Sequence, residues 1–358
     1  MYNKNKYYIW VFLIISVCTS MACHNENGNE YKGLETRIIS EYPVNMSLDK
    51  GHLLPINPYG SVDFIGIDSL AIFKIGDGEY LWKIVNLNNP NETCYLFRRG
   101  HGENEFSELP ASERAFVTDS ALYCDFYAPD KRNFYRYNLS ASLKQRIPCL
   151  EEKKEIKSSD NLQTLYKLAD ESFFAIKYLG HNGFIRGIWM DGNFKECQGL
   201  GNLNKMTVAN DINTLASVKG INPFTNMIVE AMIRMHQINL YSVSGDRSLT
   251  LSVGDKLQDA IQVDQTSKQF LKKGFANVTC YPDYFIAVYI NTSLENFLRR
   301  QSGNSQLLVF DWNGYPLAQI NVPHMITSSY IYHDKLFILT ANDEFYQYDA
   351  PKFKQNAF

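Results

Sequence analysis

Histidines and cysteines, seven of each, are the side chains of this 358-residue chain best suited to hold a metal or act as a nucleophile. Their spacing assembles neither. His24, His52, His101, His181, His236, His324 and His333 stand apart, without the H-x-x-x-H or H-E-x-x-H spacing that puts two ligands on one helix face. Cys94, Cys124, Cys149, Cys197 and Cys280 are equally scattered and form no C-x-x-C, so they read as small buried hydrophobes rather than a zinc knuckle or redox pair. Calcium-loop carboxylates and a G-x-S-x-G elbow are missing as well. No metal or cofactor is expected, and catalysis would have to gather residues from distant parts of the chain. Two adjacent cations, Arg98 and Arg99, precede a glycine-rich turn. Either could face an anionic ligand, and either could equally serve a strand-edge ion pair.

Cys23 has a chemistry of its own. Lys4 and Lys6 give a positive start, Tyr7 to Val17 (YYIWVFLIISV) an apolar run of eleven residues, and Ser20-Met21-Ala22-Cys23 a small-residue close, which is the pattern of an export signal. Ala22-Cys23 resembles the lipobox of bacterial lipoproteins, in which cleavage falls before a lipid-modified cysteine. Ser20 departs from the usual Leu, and Val17 ahead of Cys18 is a poor match. The resemblance implies a signal peptide over 1–22, acylation at Cys23 and attachment of the body to the cell envelope, at its outer membrane. Two or three acyl chains hold a protein at a membrane stably. Ordinary secretion stays open, and although eleven apolar residues fall short of the roughly 20 that span a bilayer, extending the run through Cys23 keeps an uncleaved helical anchor open as well. Residues 23–33 then read as a lipidated tether, polar from His24 to Glu30 (HNENGNE).

The remaining chain, 34–358, reads as a globular body, since the whole sequence has 14% aromatic, 45% hydrophobic and 20% charged residues. The whole sequence's formal charge of −3, or −5 once Lys4 and Lys6 are removed by cleavage before Cys23, gives no footprint for nucleic acid. Tyr and Phe, 23 and 22 in number, favour strands. Short β-rich runs recur with turns between them: Ser69–Ile75, Tyr80–Val85 and Thr93–Phe97; then Ala121–Tyr127, Asn133–Tyr137 and Leu143–Ile147; and so on to Ser329–Tyr332, Lys335–Leu339 and Glu344–Tyr348. Matching turns begin at Asn138, Asp191 and Ser244, a period of 53 residues. Six such units predict an all-β, six-bladed propeller. The sixth unit is one strand short, and the N-terminal strand Leu34 to Val44 is expected to close it. A β-sandwich or two smaller β domains would leave no spare strand. Gly254 to Gly274, with Leu257, Ile261, Phe270 and Leu271, reads as a short helical insertion between units four and five.

Two motifs carry a further resemblance. Arg98 to Phe106 (RRGHGENEF) resembles a G-x-G-x-x-E-F turn, and Tyr284 to Tyr289 (YFIAVY) with Leu307 to Gly314 (LLVFDWNG) resembles a late-blade signature, both of TolB-like six-bladed propeller lipoproteins of the Bacteroidota type. The resemblance implies fold and location and little chemistry. Read physically, Gly100 and Gly102 allow positive φ where the chain leaves one blade for the next, Glu105 can accept backbone N–H groups in the turn, and Phe106 closes the motif. Asp311 and Gly314 would build a hairpin turn, with Trp312 packed between blades or, in the alternative, exposed to stack on a ligand. Asp68-Ser69-Leu70 and Asp119-Ser120-Ala121 match the O-glycosylation acceptor pattern of that bacterial group, and Asp-Ser is also ordinary turn chemistry. The leading expectation is an envelope protein that binds a peptide, a glycan or another envelope protein through its loops. A propeller hydrolase or lyase would need three or four carboxylate, Asn or His side chains from different blades at the axis. A structural subunit of an outer-membrane assembly would need an exposed apolar patch.

Overall fold

Ser61–Ile67 (β4), Leu70–Ile75 (β5), Tyr80–Asn86 (β6) and Asn89–Arg98 (β7) follow one another as an antiparallel meander, and the chain repeats this plan six times in the computed structural model. The structure describes residues 31–353, apart from 103, 119–120, 159, 169–170, 181–182, 205, 207–209 and 301–302. Before the first meander come three short strands, Glu35–Ile39 (β1), Asn45–Ser47 (β2) and His52–Leu53 (β3). Blade two is Ala111–Val117 (β8), Leu122–Ala128 (β9), Asn133–Asn138 (β10) and Leu150–Glu155 (β11); blade three is Leu162–Lys167 (β12), Phe173–Tyr178 (β13), Phe184–Met190 (β14) and Asn193–Glu196 (β15). Blade four is Ser217–Ile221 (β16), Met227–Met232 (β17), Gln237–Ser242 (β18) and Ser248–Val253 (β19). Blade five is Lys272–Cys280 (β20), Tyr284–Ser293 (β21), Ser305–Asp311 (β22) and Pro316–Val322 (β23). Blade six has Ile326–Tyr332 (β24), Lys335–Thr340 (β25) and Phe345–Asp349 (β26).

An N-terminal strand closes the last blade, as expected, but it is a later one than Leu34 to Val44. His52–Leu53 pairs antiparallel with Tyr346 and Gln347 and supplies the fourth strand of blade six. The earlier stretch is used differently. Strand β1 runs parallel to β19 on the outer edge of blade four, from Glu35 against Leu249 to Ile39 against Val253, and β2 does the same beside β23 of blade five. The chain start is thus a strap across the rims of three successive blades, and it covers outer-edge N–H and C=O groups that would otherwise stay open. Tyr31, the first described residue, is packed into the body at 1% exposure.

Leu143 to Ile147, expected as a strand, is instead the end of a helix, Leu139–Gln145 (α1). The Asn138 side chain accepts the Ala141 N–H at its N-terminus, and Leu139 and Leu143, one turn apart, are its buried face. The insertion between blades four and five is helical as expected, with Ala260–Gln265 (α2) capped by Asp259 and a 3₁₀ turn at Lys268–Phe270. A further short helix, Leu294–Leu298 (α3), links β21 and β22.

The core is a set of six wedges, one between each pair of neighbouring blades. Between blades one and two, Trp82, Phe97, Phe106, Phe126, Tyr135 and Tyr137 pack edge to face and stacked, with ring centroids 4.8–6.0 Å apart. Equivalent wedges bring Phe134 to Phe173, Phe285 to Trp312 and Phe73 to Phe345. That is where the tyrosines and phenylalanines go: flat rings fill the widening gap between radiating sheets, and burying each one contributes about 1.5–3 kcal/mol. Because the strands alternate in direction, the turns joining first to second and third to fourth strands share one face of the disc, called here the hairpin face. The blade-to-blade crossings and the turns joining second to third strands lie on the other, the crossing face.

Candidate functional site

The first strand of each blade lies innermost, so β4, β8, β12, β16, β20 and β24 ring the axis. The third residues of these strands are Asp63, Glu113, Thr164, Lys219, Gly274 and Ser328. Two of them meet around a lysine from a second strand. Lys74 Nζ lies 3.4 Å from Asp63 Oδ2 of its own blade and 2.9 Å from Glu113 Oε1 of blade two. Asn277 of blade five donates from Nδ2 to Asp63 Oδ1 at 2.9 Å, and Thr279 Oγ1 donates to Ser329 O of blade six at 2.6 Å. One axial set therefore draws on blades one, two and five, with a fastening to six. Its charged side chains keep 10–23% of their surface exposed.

Charge is shared unevenly in this set. Burial raises the Asp63 carboxyl above the ordinary aspartate range, and Lys74, also engaged by Glu113, only partly offsets it. Burial alone would lower Lys74, but Glu113 and Asp63 outweigh it and hold the ammonium well above the usual lysine range. Arg114 of β8 reaches across the axis, donating to Lys167 O of blade three at 3.2 Å and to Pro223 O of blade four at 2.6 Å. The arrangement can fix polar ligand groups by hydrogen bonding and holds a permanent cation between two carboxylates. Among the described residues no group of three or more His, Cys, Asp or Glu is placed to hold a metal ion.

A second charged network lies off the axis between blades three and four. Arg186 of β14 donates to Glu230 of β17 from Nε at 3.1 Å and Nη2 at 2.7 Å, and both side chains are sealed, at 1% and 0% exposure. The Tyr241 hydroxyl donates to Glu230, Leu203 O accepts from Arg186, and the Tyr31 hydroxyl accepts from Arg186 Nη2. Burial would raise Glu230, yet Arg186 and Lys219 outweigh it and hold the carboxyl below the usual range. Burial also pushes the Tyr31 hydroxyl up to about 12, so it stays protonated. This network locks the first described residue of the strap into the ring.

On the hairpin face two concavities open. One, of about 630 Å³ between blades five and six, is lined by Tyr284, Ile331, His333, Asp334, Lys352 and Phe353. A row of tyrosines leads to it: Tyr330 and Tyr281 stack at 6.2 Å and 8°, Tyr281 and Tyr284 at 4.5 Å and 20°, and Phe353 stands edge-on to Tyr284 at 5.3 Å. The Tyr281 hydroxyl is fixed by the Ile331 N–H at 2.6 Å, so the row is held in place. The other, about 420 Å³, lies where β1 crosses the third-to-fourth turns of blades four and five, and includes Arg37, Arg247 and Tyr315. Arg37 sits 4.3 Å above the Tyr315 ring and donates to Asn313 O.

The residues singled out from the sequence are found as follows. The Arg99 guanidinium donates to the backbone carbonyls of Gly76, Gly78 and Ser107 and reaches that of Ile75, and Arg98 forms an exposed ion pair with Glu79. Both lie on the crossing face, apart from the axial set. Glu105 accepts the Gly102 N–H at 3.0 Å, and Phe106 is fully buried. Gly100 and Gly102 do not take positive φ; the left-handed residue there is Phe97, at 59°. What Gly100 supplies is room, since a Cβ would stand 2.1 Å from Glu105 Oε2. Asp311 accepts from the N–H groups of Asn313 and Tyr315, and Gly314 turns the chain at φ 76°. Trp312 packs on Phe285 and donates to Tyr281 O at 2.9 Å. Asp68 is a turn residue at φ 46°. Cys23, the signal segment and the residue pair 119–120 lie outside the described residues. The axial set was missed, because Asp63, Glu113 and Asn277 stand in different blades and no local motif joins them.

The sequence matches no family model and no curated relative. Among solved structures, a DUF4221 family member from Bacteroides vulgatus is 9% identical, with 86% of this chain and 98% of that one aligned at a TM-score of 0.51. Virginiamycin B lyase from Staphylococcus aureus is 8% identical, covering 84% of this chain and 99% of its own at a TM-score of 0.45. At these identities the likeness to the Bacteroides vulgatus structure establishes a shared fold, and the chain is a six-bladed β-propeller.

Proposed function

We propose that this is an exported protein of the TolB-like kind, lipid-anchored through Cys23 in the cell envelope, whose propeller binds a ligand or protein partner without catalysis. The observation that carries the binding reading is the hairpin-face cleft of about 630 Å³, where the ordered tyrosine row meets His333, Asp334 and Lys352. Flat rings take up the apolar face of a sugar or a peptide side chain, and a few polar groups at the rim fix its orientation. The test is binding of neutral and charged oligosaccharides and of extended peptides to the intact protein in detergent. Tyr284→Ala and Phe353→Ala should weaken the retained ligand about tenfold, the scale of 1.4 kcal/mol, while Tyr95→Ala on the rim of blade one leaves it unchanged. If every member of the panel binds wild type and the two cleft variants alike, the cleft is not the site. Replacing Cys23 by Ala should leave an unprocessed precursor or release the protein; unchanged lipid labelling would refute the anchor.

A second reading, a hydrolase or lyase with an axial site, is favoured by the convergence of Asp63, Glu113 and Asn277 from three blades. It requires turnover that disappears in Glu113→Gln while the fold persists.

A further inference from the structure

The crossing face carries a patch that the binding cleft does not use. The 3₁₀ turn Lys268–Phe270 and helix α3 lie against one another, tied by the Leu294 N–H donating to Leu271 O at 2.8 Å. Each projects a large apolar side chain into solvent: Phe270 is 70% exposed and Leu298 is 69% exposed. Around them stand Lys268, Lys272, Lys273, Arg299 and Arg300, against a single acid, Glu295, within residues 268–273 and 294–300. In a chain of net charge −3 this is a local reversal of sign. Arg299 pairs with Glu295 and Arg300 with Asp343, both arginines being at least half exposed, and Lys272 reaches Asn291 Oδ1 at 3.3 Å. Lys273 is the inner member, 5.0 Å above the Phe297 ring.

From this geometry we infer that the patch is a membrane-docking edge, which sets Phe270 and Leu298 into the interface of a bilayer and its lysines and arginines against anionic lipid headgroups. Exposed apolar side chains on short elements, ringed by cations, are the pairing that an anionic lipid surface rewards: apolar burial at the headgroup boundary and electrostatic attraction act together. A protein partner of matching shape would have to offer both an apolar socket and an acidic rim, whereas a leaflet offers both everywhere. The strap argues the same way. The first described residue, Tyr31, is held in the seam of blades three and four, in the same core cluster as Ala260 of the blade-four-to-five crossing. Residues 23–30 span at most about 28 Å when extended, so a lipid at Cys23 keeps the ring, and the patch with it, within reach of the bilayer. This part of the argument rests on the anchor reading above; the patch itself does not.

The experiment uses the intact protein with an environment-sensitive fluorophore on Phe270→Cys or, as control, on Phe224→Cys of the hairpin face, added to vesicles of phosphatidylcholine alone or with about a third phosphatidylglycerol. Docking predicts a blue-shifted, brighter label at 270 on the anionic vesicles only, with the label at 224 unmoved. Lys268→Gln, Lys272→Gln and Arg299→Gln should each weaken the response roughly fivefold, as expected for one cation near an anionic surface. A label at 270 that stays aqueous, that responds equally on neutral vesicles, or that is already shielded before vesicles are added overturns the proposal. Flotation separates the two readings. Protein that floats with anionic vesicles but not with neutral ones, with the 270 label responding, retains docking and removes the anchor; protein that floats with both while the label stays silent retains the anchor and removes docking.

Discussion

Two of the charged clusters that tie this propeller's blades differ in how many cations each carboxylate can claim. Between blades three and four, Glu230 has Arg186 bidentate, with Lys219 nearby, and is sealed from water. At the axis, Asp63 and Glu113 share Lys74 and remain partly open. The outcome is opposite in sign: Glu230 is held below its ordinary range and Asp63 is raised above it. A surplus of cation with full hydrogen bonding makes a lock. A shortage of cation beside some exposure leaves a group whose charge state answers to whatever enters, and for that reason the axis, not the seam, is where a second chemistry would have to be sought.

The contrast can be broken most directly at the seam. Glu230→Gln leaves the Arg186 guanidinium buried without its counter-ion and should cost about 3–5 kcal/mol, read as a lower urea midpoint; a loss below about 1 kcal/mol would show that the seam is not a lock. Next comes Lys74→Met, which leaves two carboxylates facing one another. It should cost about 1–3 kcal/mol near pH 7, with the loss shrinking on acidification as one carboxylate takes a proton; a pH-independent loss would point to packing alone. Tyr31→Phe removes an acceptor from Arg186 and should cost about 1–2 kcal/mol without altering that pH dependence.

The smallest expected effect sharpens the comparison most. Because Asp63 is raised in the folded state, its contribution is fully present below its unfolded value near 3.9 and is lost as pH rises through the folded value. Glu230, being lowered, contributes above its unfolded value near 4.3 and loses that as pH falls. Asp63→Asn should therefore change stability by less than about 1 kcal/mol near pH 7 and become relatively worse toward about pH 4, whereas the penalty of Glu230→Gln should shrink over the same interval. Parallel urea titrations at the two pH values decide it, and slopes of the same sign in both variants would erase the distinction.

Much of the ring was legible because its punctuation is local. The breaks at Asn138, Asp191 and Ser244 each fall at the end of a blade's third strand, and the aromatic runs between them are strands in the structure. What was misplaced depends on choices between equivalent local options. Leu34 to Val44 has the composition of a strand, and it is one in part, but nothing in five residues says whether the edge it pairs with belongs to blade four or six. Leu143 to Ile147 looked extended, and the Asn138 cap, a single side-chain bond, decided for helix. The axial set was out of reach for a different reason: Asp63, Glu113 and Asn277 are brought together only by ring closure, and no short window contains two of them. Gly100 looked like a positive-φ turn residue and serves as clearance for a carboxylate, a distinction that only the neighbouring atoms draw.

The strap has a consequence for the order of events during synthesis. Gly33 bonds to Thr250, 217 residues further on, and His52 must wait for Gln347. The first segment of the body to be made is thus the last to find its partners, and blade six cannot be completed until nearly the whole chain has appeared. Contacts of such long sequence separation slow folding. A chain that crosses a membrane amino end first would arrive with its fastening strands unpaired, and would be kept from premature closure by the simple absence of the blades they fasten.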